Sequence, residues 1–205
     1  MNNNDDRNDF LYQAYLSYYS FAGILVCLLT SFVATNIYPV TTEDRIEIAL
    51  RLQLLITTLL MVPAIFIVAY IFLPATFHID GVSKSLEATW IDAAACVICG
   101  SLGGLLIGLT AEFYTSNSYK PVKDLVNACR TGAATNIIYG LALGYKSAIA
   151  PAYILAAIIY TSFELCDLYG VALAAVGMLA NISTALTIDA YGPVCDNAGR
   201  YHLSL

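Results

Sequence analysis

Charge is what this sequence has least of. Only 12% of its 205 residues are Asp, Glu, Lys or Arg, against 59% hydrophobic, and the mean hydropathy is +0.71. An average soluble domain carries about twice that share of charge. The charges are also bunched, which leaves five uncharged runs at 10–42, 52–79, 93–111, 147–163 and 168–188. A membrane crossing needs about 20 mostly apolar residues. Composition therefore excludes an ordinary soluble domain and predicts an all-α integral membrane protein of about five transmembrane helices. Basic residues are scarcer than acidic ones, 9 against 15, for a net charge of −6. With no basic stripe, nucleic acid is excluded as a partner. The N-terminal MNNNDDRND lacks the basic start of a secretory signal, and the run after it is too long for a signal's apolar core.

The six cysteines form no framework, and most lie inside apolar runs. Cys96-Val-Ile-Cys99 has redox or metal spacing, but no His or second CxxC is near it. Packing is the better reading. Asn181-Ile-Ser183 matches the glycosylation pattern but sits inside an apolar run, out of a transferase's reach.

The expected organisation is one membrane region with spans at about 11–38, 49–72, 91–114, 147–163 and 169–189 and a cytosolic connection at 115–146. Tyr12, Tyr15, Tyr18, Tyr19 and Phe21 cluster at the start of the first span, as an interfacial aromatic belt would. Pro63 falls mid-span in the second and predicts a kink. PATFHIDGVSKSLEATW reads as a Gly- and Pro-punctuated loop with His78 exposed. Gly100, Gly104 and Gly108 recur at four-residue spacing, so the third span should pack closely on a neighbour. TGAATNIIYGLALGY, before the fourth span, is too short to cross and reads as a helical extension or interfacial segment. Glu164 and Asp167 form a short acidic turn between the last two spans.

Cations set the orientation. Arg45 and Arg51 lie on one connection, and Lys120, Lys123, Arg130 and Lys146 lie on another. The positive-inside bias puts both on the cytosolic side, with the N-terminus and the acidic turn opposite. Gly177, Asn181 and Ala185 step along the fifth span toward Asp189, a small and polar face suited to a bundle interior or a water-filled path.

Residues 186–200, LTIDAYGPVCDNAGR, carry the functional signal. An apolar run ends there in Asp189 and Asp196, with Asn197 next to the second. Carboxylates at a membrane helix end are costly unless paired, solvated or metal-bound. Their spacing is about two helical turns, although Gly192-Pro193 would swing the second Asp outward on a kink. Spacing alone leaves an ordinary solvated helix end as an equal alternative.

Four motifs in order resemble the membrane-integral pyrophosphatases, pumps that hydrolyse pyrophosphate to move protons or sodium ions. They are Glu112-Phe-Tyr-Thr-Ser-Asn-Ser-Tyr, Cys129-Arg-Thr-Gly-Ala-Ala-Thr-Asn, Gly140-Leu-Ala-Leu-Gly-Tyr-Lys-Ser and Ile188-Asp-Ala-Tyr-Gly-Pro-Val-Cys-Asp-Asn-Ala-Gly. The resemblance is dense from Gly103 to Gly199 and looser, but collinear, before that. It implies a sixteen-helix bundle in which this chain corresponds to the seventh through eleventh helices, the last of them lining the catalytic funnel. It also implies that Asp196 helps hold magnesium-pyrophosphate, with Asp189 an acidic position one step deeper. Glu112 is then a group linked to ion coupling, although a solvated helix-end Glu reads the same in sequence. Lys146 and Asn197 become basic and polar groups on the substrate side. Magnesium suits such a site because pyrophosphate is highly charged and the ion takes hard oxygen ligands. The implied partners are pyrophosphate, the lipid bilayer, the remaining helices of the pump and a second copy in a homodimer. The implied location is a vacuolar or other acidic-compartment membrane, or the plasma membrane.

The chain departs from that pattern after Gly199, reading Arg200-Tyr-His-Leu-Ser-Leu205 where the family continues with a second Gly. Its Met1 aligns just after the sixth family helix, and the family's other Asp- and Lys-bearing loops have no counterpart here. It is expected to be an internal fragment or truncated form, inactive alone. A non-catalytic bundle, either a passive channel or carrier or a structural truncated isoform, is the alternative. Potassium dependence is undetermined by the motifs present.

Overall fold

The structure is a computed structural model, and it describes residues 3–32, 43–80, 85–116, 118–180, 186, 190, 192–194 and 197–198. Helix α1 spans Asn3–Phe32 and helix α2 spans Glu43–Phe72. A two-stranded antiparallel hairpin follows, with β1 at Thr76–Asp80 and β2 at Ser85–Thr89. Helix α3 covers Trp90–Thr115, the short helix α4 covers Lys120–Cys129, and α5 covers Ala133–Leu179. Among the described residues, four helices are long and apolar enough to cross a membrane.

Helix α5 has 47 residues. As a straight rod that would be about 70 Å, more than twice the roughly 30 Å hydrocarbon core. It is not straight. Cys166 (φ −141°, ψ 25°) and Asp167 (φ 51°, ψ −144°) leave helical geometry, and Asp167 has the only positive φ among described non-glycine residues. A Cβ on Gly170 would overlap the Ser162 carbonyl, so the chain folds back on itself at the break. The acidic turn expected at 164–167 is therefore a break at 166–167, with Glu164 still helical. Asp167 is buried rather than solvated, and its carboxylate accepts from the Leu168 N–H at 2.6 Å.

Helix α3 lies against both halves of α5. In lipid there is little hydrophobic gain in bringing two apolar helices together, so close backbone approach and polar contacts decide the packing. Gly100 sits where a Cβ would overlap the Ala174 backbone, and Gly177 where a Cβ would overlap the Val97 carbonyl. On the other half, Ile158 fills the space over Gly103. The glycine stripe predicted to pack closely does so at Gly100 and Gly104. Gly108, at the far end, meets no atom within 4 Å. Asn181 and Ala185 of the second stripe lie outside the described residues, while Gly177 is buried against α3.

Hydroxyls join α1 to α2. Thr30 and Thr57 share a hydrogen bond of 2.7 Å, and both are buried. Each hydroxyl also reaches a carbonyl of its own helix, Thr57 that of Gln53 at 2.7 Å and Thr30 that of Cys27 at 3.0 Å, so either can be the donor across the pair. Tyr18 stacks on Phe72 at 4.0 Å. Two of the tyrosines expected in an interfacial belt are core residues instead: Tyr15 and Tyr19 are 0% and 1% exposed. They share one face of α1 at i,i+4 spacing, and that face looks into the bundle. Tyr18 and Phe21 stay exposed.

The connection between α2 and α3 contains a hairpin rather than an irregular loop. Phe77 and Ala88 face each other across it and are both buried, with Phe77 edge-on to Tyr169 at 6.2 Å. His78 is exposed as expected, 3.6 Å from Glu87. Thr89 then starts α3 with a reciprocal cap: its hydroxyl accepts from the Asp92 N–H and its own N–H donates to Asp92. The stretch TGAATNIIYGLALGY is a helical extension, forming the start of α5 from Ala133. The same 115–146 connection also contains α4. Arg45 and Arg51 lie on α2 rather than in a loop, because the helix begins at Glu43.

The packing predicts an asymmetric glycine response. Gly100→Ala places a methyl on the Ala174 backbone and should destabilise the chain by about 1–3 kcal/mol. Gly108→Ala meets open space and should be neutral or stabilising by up to about 1 kcal/mol. Thermal unfolding of both variants in detergent measures this, and equal shifts would remove the close α3–α5 contact.

Candidate functional site

Glu112 stands in the last turn of α3, one turn before the Ser116 cap, whose N–H donates to the Glu112 carbonyl at 2.9 Å. A carboxylate there faces the negative end of the helix dipole. Arg51 of α2 offsets this: its Nε donates to Glu112 Oε1 at 3.0 Å, and a second guanidinium nitrogen reaches the same oxygen. The Arg51 guanidinium also lies 5.8 Å from the centre of the Tyr119 ring, just before α4. Both side chains of the pair are less than one-third exposed, at 31% and 28%. Glu112 is thus not a freely solvated helix end. It is tied to α2 and, through Arg51, to the start of α4.

Arg51 is the residue that sequence reasoning used only for orientation. The missed signal was its position, inside the long apolar helical stretch Ile48–Phe72. An arginine there is costly unless a carboxylate or water meets it. Glu112 lies at the matching end of the next long helix, since α2 and α3 run in opposite directions through the hairpin.

Lys146 is exposed on the first half of α5 and lines a cavity of about 450 Å³. Phe113 and Tyr114 of α3, Lys120 and Asp124 of α4, and Tyr139 of α5 line it too. Asn197 is exposed in a short helical piece. Asp189 and Asp196 lie outside the described residues. The described part of the structure therefore brings Glu112 together with Arg51 and Lys146 together with Lys120. It joins neither pair to the motif at 186–200.

A magnesium site among the described residues would need several hard oxygen ligands close together. Among those residues, no three His, Cys, Asp or Glu side chains group closely enough to hold a metal ion. The two carboxylates that the sequence points to are hard oxygen donors of the kind magnesium takes, but two are fewer than a complete site needs. The described residues do not fit a magnesium centre. Cys96, the candidate for a CxxC site, is buried and donates to the Ser162 carbonyl at 3.8 Å, while Cys99 meets the Thr161 hydroxyl at 3.4 Å. Both cysteines are packing residues.

Comparison with known proteins supplies what the geometry does not. A family model described as inorganic H+ pyrophosphatase matches residues 10–202. A K(+)-stimulated pyrophosphate-energized sodium pump of Thermotoga maritima is 36% identical over 159 residues, covering 77% of this chain and 21% of that protein. A K(+)-insensitive pyrophosphate-energized proton pump of Methanosarcina mazei is 40% identical over 110 residues, 50% of this chain and 16% of the pump. Pyrophosphate-energized proton pump 2 of Rhizobium leguminosarum bv. trifolii is 31% identical over 173 residues, 84% of this chain and 80% of that protein. The chain thus spans less than a quarter of the length of the first two relatives and most of the third. With its long apolar helices and a family match over nearly its whole length, the chain is an integral membrane protein of the inorganic H+ pyrophosphatase family.

Proposed function

We propose that this chain is part of a membrane pump that hydrolyses magnesium-pyrophosphate to phosphate and couples the reaction to proton or sodium transport. The observation that carries this reading is the family match over residues 10–202, which runs through every motif singled out in the sequence. The pump works in a vacuolar or other acidic-compartment membrane or in the plasma membrane, as a homodimer. The relatives that match are named as sodium pumps and as proton pumps, so either ion fits the reading.

In this reading Asp196 and Asp189 belong to the substrate end of the fifth span, with Asn197 beside them as a polar contact. Bound magnesium would neutralise pyrophosphate and stabilise charge as the phosphoryl group transfers. The other ligands would come from helices outside this chain. Asp189 and Asp196 alone are too few hard oxygen ligands to hold the ion. The 205-residue chain by itself is therefore expected to release no phosphate. Glu112 acts in coupling and is held in place by Arg51.

Two experiments test these roles. In a complete pump carrying this segment, Asp196→Asn keeps the side chain's shape and removes its charge. Phosphate release measured across magnesium concentrations should fall by about a hundredfold or more, because metal-held charge stabilisation is worth several kcal/mol. Glu164→Gln, exposed on α5, serves as the control and should match wild type. Normal turnover and magnesium dependence in Asp196→Asn would take this residue out of the site.

The second experiment uses vesicles that report both ion movement and phosphate release. Glu112→Gln should lower the number of ions moved per phosphate released, and Arg51→Gln should shift that ratio in the same direction. An unchanged ratio in both variants would confine the pair to a structural role. Its loss should then appear only as about 1–2 kcal/mol of stability, less than for a fully buried pair.

A further inference from the structure

The cavity between α3, α4 and α5 joins Lys146, which the motif resemblance puts on the substrate side, to groups that have no role in the proposed pump reaction. Lys120 and Lys146 come from helices separated by the 130–132 turn, yet both face one space of about 450 Å³. Among the described residues, neither lysine has a carboxylate within ion-pair distance. Two lysines lining one cavity favour an anion there. Phe113, Tyr114, Tyr139 and Leu143 line the same cavity. Asp124 contributes one negative charge, which leaves the cavity a net single positive charge.

Position narrows the ligand. Helices α3 and α5 are long and apolar enough to cross the membrane. Helix α4 between them is short and two-faced, with Val122, Leu125 and Val126 set against Lys123, Asp124 and Asn127. A short two-faced helix joining two crossing helices suits the bilayer surface, where tyrosines concentrate. A cavity at that level, with aromatic walls and two basic groups, fits a phosphate attached to an apolar body. Basic pockets between membrane helices take lipid head groups by this chemistry. The single net positive charge matches a phosphodiester monoanion better than multiply charged pyrophosphate.

The geometry points to a phosphate-binding site in this cavity, occupied by the phosphodiester head group of an acidic glycerophospholipid. Lys120 and Lys146 bind the phosphate oxygens, and the aromatic walls hold the glycerol and upper acyl region. Asp124 opposes the anion and sets the preference for one negative charge over several.

The test uses the 205-residue chain in phosphatidylcholine nanodiscs containing one-fifth phosphatidylglycerol, with retained lipid read by native mass spectrometry after release. Phosphatidylglycerol should be retained in preference to phosphatidylcholine. Each of Lys120→Gln and Lys146→Gln should reduce that preference about fivefold, the worth of one lysine near an anionic lipid. Asp124→Asn should increase it. Lys123→Gln, exposed on α4 but outside the cavity, should leave it unchanged, which separates the site from a general surface charge. A parallel arm adds millimolar inorganic phosphate or pyrophosphate. Displacement of the lipid by either ion at that level would keep the phosphate site but overturn its assignment to a lipid. Equal retention of both lipids, or an equal effect of Lys123→Gln, would overturn the site itself. Unchanged far-UV circular dichroism in the lysine variants excludes misfolding as the cause of a loss.

Discussion

The close approach of α3 to both halves of α5 is the contact on which the rest of this structure depends. Gly100 and Gly177 remove the side chains that would hold the backbones apart, and the break at Cys166–Asp167 turns the second half of α5 back along α3. The hairpin between α2 and α3 closes the same end, with Phe77 against Tyr169 just beyond the break. Tyr15 and Tyr19 of α1, Met61 and Ile65 of α2, and Cys96 of α3 complete one core there. At the opposite end of α3 the helices are looser. Gly108 meets open space, and polar and charged groups replace the small-residue contact.

That looser end gathers an ion pair and a charged cavity. Glu112 ends α3 and is held by Arg51 of α2, while Lys120 and Lys146 share a cavity beside it. The tight end fixes the helices, and the open end presents their charges. The family match places the chain among proteins whose relatives are named as pyrophosphate-energized sodium and proton pumps.

Much of this was legible in the sequence because membrane patterning is a strong signal. The uncharged runs mark α1, α2 and α3, and the end expected for the second span coincides with the observed Phe72. The glycine stripe named the packing face of α3. The extension before the fourth span was also readable, since its fifteen apolar residues could continue a helix but not cross alone. Other features depend on contacts between distant residues and leave little local trace. Tyr15 and Tyr19 are amphipathic enough for an interface or a core, and only the neighbouring helices decide. The hairpin at Thr76–Thr89 shows Gly and Pro punctuation that a loop would share. Asp167 looks like a solvated turn residue until its backbone conformation and burial are seen. The site at Asp189 and Asp196 was named from a motif, and its geometry lies outside the described residues.

The reversal of α5 at its break predicts five membrane crossings, with Glu112 and Lys146 toward one face of the membrane and the hairpin toward the other. Three exposed positions test it in sealed vesicles: native Cys129 at the end of α4, Glu87→Cys on the hairpin and Glu164→Cys beside the break. Each is placed singly in a background with the other cysteines replaced, and each is labelled with a membrane-impermeant maleimide. With five crossings, positions 87 and 164 react from one face and Cys129 from the other. Labelling of position 164 from the same face as Cys129, with position 87 opposite, would mean that α5 does not cross before its break, and the five-span arrangement would be contradicted.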